Sequence, residues 1–466
     1  MRFILTLLAL TLPAFSADKP NIIFVLCDNL GNGDVKCFNP QTQHRTPNLD
    51  RMAAEGTRFT SYYSASGVCT PSRAALMSGC YPRRINMHLS ATGGAVLQPI
   101  ATKGLNPAET TLAEVVQSAG YATMIIGKWH LGDQPEFLPT RQGFDHFFGI
   151  PYSDDMTRDK RPAEWPELPL MRDEKVIEAP VDRDYLTKRY TEEAIRYIEA
   201  NQARPFFLYL PHAMPGSTSD PYASPAFKDK SANGHWGDSV EELDGSMGEI
   251  LAALKRLKLD DKTLVIWTSD NGAPNRKPPQ GSNAPYQGWG YNTTEGAMRM
   301  PMIARWPGKV PAGGECRELC SMLDILPTFA ALSGAALPKP TIDGHDISPL
   351  LLGAADTKSP TDNQGFFYYH MDQLQAVRSG PWKLYLPLAA KRSSLANKRA
   401  PSVLQLFNVR DDVTEANEVS AKHPEVIERL LKLAEAARED IGDDEKPGRG
   451  QRPAGLVAHP TARVKE

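Results

Sequence analysis

The chain of 466 residues carries 52 basic and 55 acidic side chains, a formal net charge of -3, and 41% hydrophobic residues. That length allows a large core with an appended unit, and the even charge excludes a chain built globally to grip nucleic acid or a membrane surface. Its six cysteines, at positions 27, 37, 69, 80, 316 and 320, are too sparse for the disulfide framework of a small secreted fold.

At the N-terminus, Met1-Arg2, an apolar run over 3–12 and Ala14-Phe15-Ser16 have the three parts of a secretory signal. Residues 1–16 are therefore expected to be removed near Ser16/Ala17; an uncleaved anchor is the alternative. The run is too short to span a bilayer, and no later stretch is long and apolar enough. The mature chain is expected to be secreted or periplasmic, with no membrane span.

Residues 21–27 read Asn-Ile-Ile-Phe-Val-Leu-Cys, a continuous apolar run of the kind found in strands buried on both faces. Similar runs lie at 122–126, 206–210 and 263–268, with helical patterns at 47–55, 111–119, 189–201 and 239–257. The alternation predicts an α/β fold: a large, mostly parallel sheet sandwiched by helices. Polar residues follow each strand directly: Asp28 and Asn29, then Lys128 and His130, then His212, then Asp270 and Asn271. In such sheets ligands bind beyond the carboxyl ends of the strands, so the four segments are expected to share one crevice. Taken singly, Asp28-Asn29 and Asp270-Asn271 each read as an Asx turn. Together they offer four hard oxygens suited to Ca2+ or Mg2+.

Residues 67–79, Gly-Val-Cys-Thr-Pro-Ser-Arg-Ala-Ala-Leu-Met-Ser-Gly, read as a loop delivering Cys69 to a helix N-terminus. Pro71 suits the first turn and Gly79 the stop. Free N–H groups and the dipole favour an anion there, and Arg73 adds a fixed charge one turn on. Polar neighbours argue against an ordinary buried cysteine. A cysteine phosphatase loop has five residues between Cys and Arg, and here three intervene. On a third reading Cys-x-Pro-x-Arg is a modification signal, and here the stretch resembles the sulfatase family signature, with Ser78 where the family has Thr, Ala or Arg. Residues 120–130, Gly-Tyr-Ala-Thr-Met-Ile-Ile-Gly-Lys-Trp-His, match the second sulfatase signature.

The resemblance implies that Cys69 is oxidised by a formylglycine-generating enzyme to formylglycine, which hydrates to a geminal diol. One diol hydroxyl attacks sulfur and expels the alcohol; the other then loses a proton as the aldehyde reforms and sulfate leaves. It further implies that Lys128 holds the sulfate and diol, that His130 accepts the departing proton, and that Asp28, Asn29, Asp270 and Asn271 bind a divalent metal facing residue 69. His212 lies where the family carries a sulfate-contacting histidine, but two residues rather than one separate it from the next proline. The family has a second acid where Asn29 stands, which removes one negative charge from the metal site. It also has a sulfate-binding lysine five residues before Glu295, where this chain has Gly290. Neither Lys277 nor Asn292 is an evident replacement.

A helix is expected from 323 to Gly334, a Pro/Gly-rich linker around 343–346, and a composition shift near 360. Short strands at 365–369, 375–378 and 382–386 and an amphipathic helix at 424–438 predict a small antiparallel sheet with one helix. The catalytic domain is thus expected at 17–360 and an α+β subdomain at 361–466, with a loose tail after Gly442. Lys391, Arg392, Lys398 and Arg399 form a basic run, read as a solvated loop, with a site for a polyanionic glycan as the alternative. Cys316 and Cys320 are spaced to bridge, whereas Cys27 belongs to the core.

The expected function is hydrolysis of an aryl or carbohydrate sulfate ester. Phosphate or phosphonate ester hydrolysis on the same fold, and a catalytically silent glycan-binding relative, are the alternatives. The second draws on Asn29, Gly290 and the altered His212 segment. His88, His235 and Trp236 are pocket residues without an assigned role.

Overall fold

The computed structural model describes residues 19–277, 279–388 and 403–465. The signal segment and the basic run Lys391, Arg392, Lys398 and Arg399 lie outside the described residues.

An 11-stranded sheet forms the body. Its central strands are parallel, in the order Thr263–Ser269, Asn21–Asp28, Phe206–Pro215, Ala122–Lys128, His146–Ile150. Arg299–Arg305 adds antiparallel to Thr263–Ser269, and Thr57–Tyr63 antiparallel to that. The far edge is the antiparallel pair Leu170–Arg172 and Lys175–Glu178. Strand Asn21–Asp28 is buried throughout, and its pleat divides the core. Ile22, Phe24 and Leu26 face the layer containing helices Cys69–Ser78, Leu112–Ser118 and Ile325–Ser333. Ile23, Val25 and Cys27 face helices Pro47–Ala54, Leu186–Ala200 and Gly234–Arg256. A capping box starts Leu112–Ser118: Thr111 Oγ1 accepts from Glu114 N (3.2 Å) and Glu114 Oε2 from Thr111 N (2.7 Å).

The four strands predicted for the body are all present, and each runs one or more residues further into the polar segment that follows. Periodicity alone misses Thr57–Tyr63, His146–Ile150 and Arg299–Arg305. Thr57–Tyr63 and Arg299–Arg305 carry charged or hydroxyl side chains that mask the apolar signal, His146–Ile150 is a short run broken by Gly149, and each is held by its ladder to a strand already in the sheet.

The smaller sheet is antiparallel, ordered Phe366–His370, Gln373–Ser379, Trp382–Tyr385, Gln405–Asn408, and packs on helix Pro424–Asp440. The fourth strand goes beyond the sequence expectation. Glu295 locks this sheet to the body. Fully buried, it accepts from Lys383 Nζ (2.8 Å), Tyr368 Oη (3.1 Å) and Tyr63 Oη, and pairs with Arg299 (3.4 Å). Burial alone would raise its pKa; Lys383, Arg299 and Arg378 outweigh that and hold it at about 2.

Two expectations are corrected. The tail is not loose: Gly455–Leu456 pairs antiparallel with Lys103–Gly104, Arg452 bridges to Glu109 (2.7 Å), and Thr461 N donates to Gln134 Oε1 (2.8 Å). These polar ties leave no apolar periodicity in the sequence. Cys316 and Cys320 are free thiols rather than a bridge.

Candidate active site

Cys69 is the first residue of helix Cys69–Ser78, entered from Val68 in extended conformation and stopped by Gly79 in the left-handed region (φ 66°). The helix entrance is tied down by hydroxyls. Thr70 Oγ1 donates to His130 O (3.0 Å) and accepts from Leu97 N (3.2 Å), while Ser72 Oγ donates to Ser66 O (2.7 Å). Arg73, one turn on, points into the sheet ends and is fully buried.

There the strand ends converge as expected. Cys69 Sγ lies 3.5 Å from Asp28 Oδ1 and 4.0 Å from Asn29 Oδ1. Arg73 donates from Nε (3.1 Å) and Nη2 (2.8 Å) to Asp270 Oδ2, from Nη2 to Asp28 Oδ2 (3.3 Å), and from Nη1 to Lys128 O (2.7 Å). Lys128 Nζ pairs with Asp28 Oδ2 and donates to Ser153 Oγ (3.1 Å). Asn29 N donates to Asp270 Oδ1 (3.0 Å), and Asn271 Nδ2 to Asn29 Oδ1. Two carboxylates thus face two cations in the dry interior, which is how buried charge is tolerated. Burial opposes the charge of Arg73 and Lys128, but Asp270 and Asp28 for the one, and Asp28 for the other, keep both firmly protonated. Burial, then Asp28, pushes the Cys69 thiol up, so the free cysteine is not a thiolate nucleophile.

His130 joins this group by an unusual backbone. The residue sits at φ 62°, outside the extended conformation that would put it on the same side of the chain as Lys128, and the turn re-aims its ring. Nε2 lies 2.9 Å from Leu97 O, which makes it the N–H donor; Nδ1 is buried without a partner and carries the lone pair. Burial, and then Lys128, lowers the ring pKa well below its usual value.

His212 is not brought to the cluster. Its ring lies beside Tyr190 (6.3 Å between centroids), its Nδ1 is buried without a partner, and burial lowers its pKa to about 3. The strand continues past Leu210 to Pro215, so His212 is a position inside a buried strand, not at its open end. His235, for its part, sits between Asp220 (2.5 Å) and Asp229 (3.2 Å), away from Cys69, and Trp236 is core.

Periodicity missed further residues. Ser153 and the fully buried Asp154, both of whose carboxylate oxygens lack partners, follow strand His146–Ile150. Overlooking that strand hid them. Ser217, whose Oγ accepts from Asn29 Nδ2 (3.0 Å) and lies 3.5 Å from Tyr291 Oη, carries no motif at all.

The donor set fits a divalent cation. Ligand atoms of Asp28, Cys69 and Asp270 lie within 4.8 Å of one another, and Asn271 Oδ1 is buried with no partner. An oxygen-rich set with two carboxylates suits Ca2+ or Mg2+.

Comparison with known proteins agrees with this geometry. The Sulfatase family profile matches residues 20–335, well over half the chain, and N-sulphoglucosamine sulphohydrolase, C-terminal, matches 291–439. The chain belongs to the sulfatase family. As such it is a sulfuric ester hydrolase of the alkaline phosphatase superfamily. It is 40% identical over 402 residues to N-acetylgalactosamine-6-sulfatase of Canis lupus familiaris, covering 82% of this chain and 75% of that protein. To arylsulfatase A of Homo sapiens it is 37% identical over 463 residues, covering 92% and 89%. Among solved structures, Ps i-CgsB in complex with k-i-k-neocarrahexaose superimposes with TM-score 0.74 at 29% identity, covering 90% of this chain and 92% of that one. Among the described residues no helix is long and apolar enough to cross a membrane.

Proposed function

We propose that this chain hydrolyses carbohydrate or aryl sulfate esters through a formylglycine made from Cys69, assisted by a divalent ion, Ca2+ or Mg2+. The observation that carries the reading is Cys69 at a helix N-terminus, 3.5 Å from Asp28 and enclosed with Arg73, Lys128 and Asp270. Asp28, Asn29, Asp270 and Asn271 would hold the ion, which would draw electron density from a sulfate oxygen and from the nucleophile. The hydrated aldehyde supplies one hydroxyl for attack on sulfur and a second whose deprotonation releases sulfate.

The chain's own side chains do the rest. Lys128 and Arg73 stabilise negative charge beside residue 69 in a water-poor site, where such interactions are strong. His130, with Nε2–H committed to Leu97 O, presents the Nδ1 lone pair as the proton acceptor. Its low intrinsic basicity rises when an anion enters between it and Lys128. His212, inside its strand and beside Tyr190, is given no part in this scheme. A glycan substrate is supported by the name of the canine relative, N-acetylgalactosamine-6-sulfatase, and by the oligosaccharide bound to the structural neighbour. Residues 1–16 are proposed as an export signal, so hydrolysis takes place outside the cytoplasm, in a secreted or periplasmic enzyme.

The test is the mass of the tryptic peptide ending at Arg73, taken from protein of the native host. An aldehyde or its hydrate at residue 69 supports the nucleophile. An unmodified thiol in folded protein overturns it in favour of a silent glycan-binding chain.

A further inference from the structure

The two cations nearest Cys69 are already committed. Arg73 is paired with Asp28 and Asp270, and Lys128 with Asp28, so these four side chains balance one another and only the bound ion would add net positive charge there. A sulfate ester carries a negative charge of its own, and its outward oxygens need further donors.

A third cation stands next to this cluster. Arg276 follows the Asp270-Asn271 turn, and its Nη2 donates to Ser217 O. Its Nε is buried with no partner, and among the described residues it forms no ion pair. Ser217 Oγ connects it inward, accepting from Asn29 Nδ2 (3.0 Å) and lying 3.5 Å from Tyr291 Oη. Tyr291 is fixed to the nucleophile's own loop: its N–H donates to Gly67 O (2.8 Å), two residues before Cys69. It is held at φ 73°, a conformation that costs a bulky side chain energy and persists only where surroundings impose it. Burial raises the phenol's pKa, and the Cys69 side chain is close enough to add to that rise.

Neither neighbouring glycine can send a side chain into this space. A Cβ on Gly290 would lie 2.3 Å from Gly272 O, and one on Gly216, at φ 79°, 2.6 Å from Ala213 O. The backbone that brings Gly290 against Gly272 is the backbone that turns Tyr291 inward.

We propose that Arg276, with the Tyr291 and Ser217 hydroxyls, is the clamp for the outward oxygens of the sulfate group in this chain. A planar guanidinium offers paired N–H donors that match two oxygens of an oxyanion. The hydroxyls supply uncharged donors on the side facing Cys69. The proposal rests on the sulfate-ester reading and deepens it.

The probe is inorganic sulfate, titrated by calorimetry into the purified full chain in calcium buffer. Arg276→Gln is expected to weaken sulfate about tenfold, the worth of one charge-assisted hydrogen bond, and Arg276→Lys to recover most of the loss. Tyr291→Phe is expected to weaken it about threefold, the worth of a neutral hydrogen bond. With para-nitrophenyl sulfate, Arg276→Gln raises KM more than it lowers kcat. Wild-type affinity in Arg276→Gln overturns the proposal. Should that variant fail to fold, Tyr291→Phe decides, and unchanged sulfate affinity there overturns it. Cys69→Ala separates the two ideas: surviving turnover sinks the formylglycine reading, while the sulfate titrations stand on their own.

Discussion

Replacing Arg73 by Met keeps the length of the side chain and removes only the guanidinium. The structure assigns that group four donor contacts, to Asp270 twice, to Asp28 and to the Lys128 carbonyl. Without it, two fully buried carboxylates share one cation, Lys128. Removing one partner of a buried ion pair costs about 3–5 kcal/mol. The stranded carbonyl adds about 1–3 kcal/mol. The sum, about 5 kcal/mol, is a large share of a typical stability of about 5–15 kcal/mol. In chelator-treated protein it lowers the urea midpoint by about 1.5 M for a slope near 3 kcal/mol/M. Millimolar Ca2+ is expected to restore part of the loss, because the ion and the guanidinium neutralise the same carboxylates. A cycle with Asp270→Asn isolates the pair, with an expected coupling of about 2 kcal/mol or more. A variant within about 1 kcal/mol of wild type, or an additive cycle, would refute the idea that the site is held by mutual neutralisation.

Cys69→Ala is expected to abolish sulfate ester turnover while shifting the unfolding free energy by only about 1 kcal/mol, because the sulfur makes weak contacts; large destabilisation would mean that the residue is structural. His212 binds no proton in the fold until about pH 3, whereas the unfolded chain binds one below its usual value near 6.5. Its contribution therefore falls as pH drops between those values, by about 1.4 kcal/mol per unit. His212→Phe should flatten the acid limb of the stability profile by that slope, and identical profiles would contradict the burial argument. Lys383→Met leaves the buried Glu295 with Arg299 as its remaining ion-pair partner and is expected to cost about 3 kcal/mol at neutral pH. Glu295 stabilises the fold above its unfolded value of 4.5 and loses that contribution as pH falls toward about 2. The penalty of Lys383→Met should shrink over the same window, as read from urea midpoints at several pH values. Chelation by EDTA is expected to suppress turnover and Ca2+ or Mg2+ to restore it; full activity in exhaustively chelated protein would remove the ion from the proposed chemistry.

The sequence by itself determined the layered α/β body, because continuous apolar runs such as 21–27 can be satisfied only by burial on both faces. It also determined which residues meet: Asp28, Asn29, Lys128, His130, Asp270 and Asn271 each follow a strand or end one, and parallel strands bring their carboxyl ends to one edge. Cys69 and Arg73 were legible from local helix chemistry. Tertiary structure alone decided the rest. His212 looked equivalent to the other strand-end residues, but its strand runs on to Pro215 and buries the ring against Tyr190. Ser153 and Asp154 were hidden behind a strand that tertiary pairing, not periodicity, maintains. Arg276, Ser217 and Tyr291 lie on loops with no repeating pattern. They come together through contacts such as Tyr291 N to Gly67 O, between residues far apart in the chain. Burial patterns follow from local sequence because the pleat repeats every two residues; loop convergence depends on where distant backbones are allowed to touch.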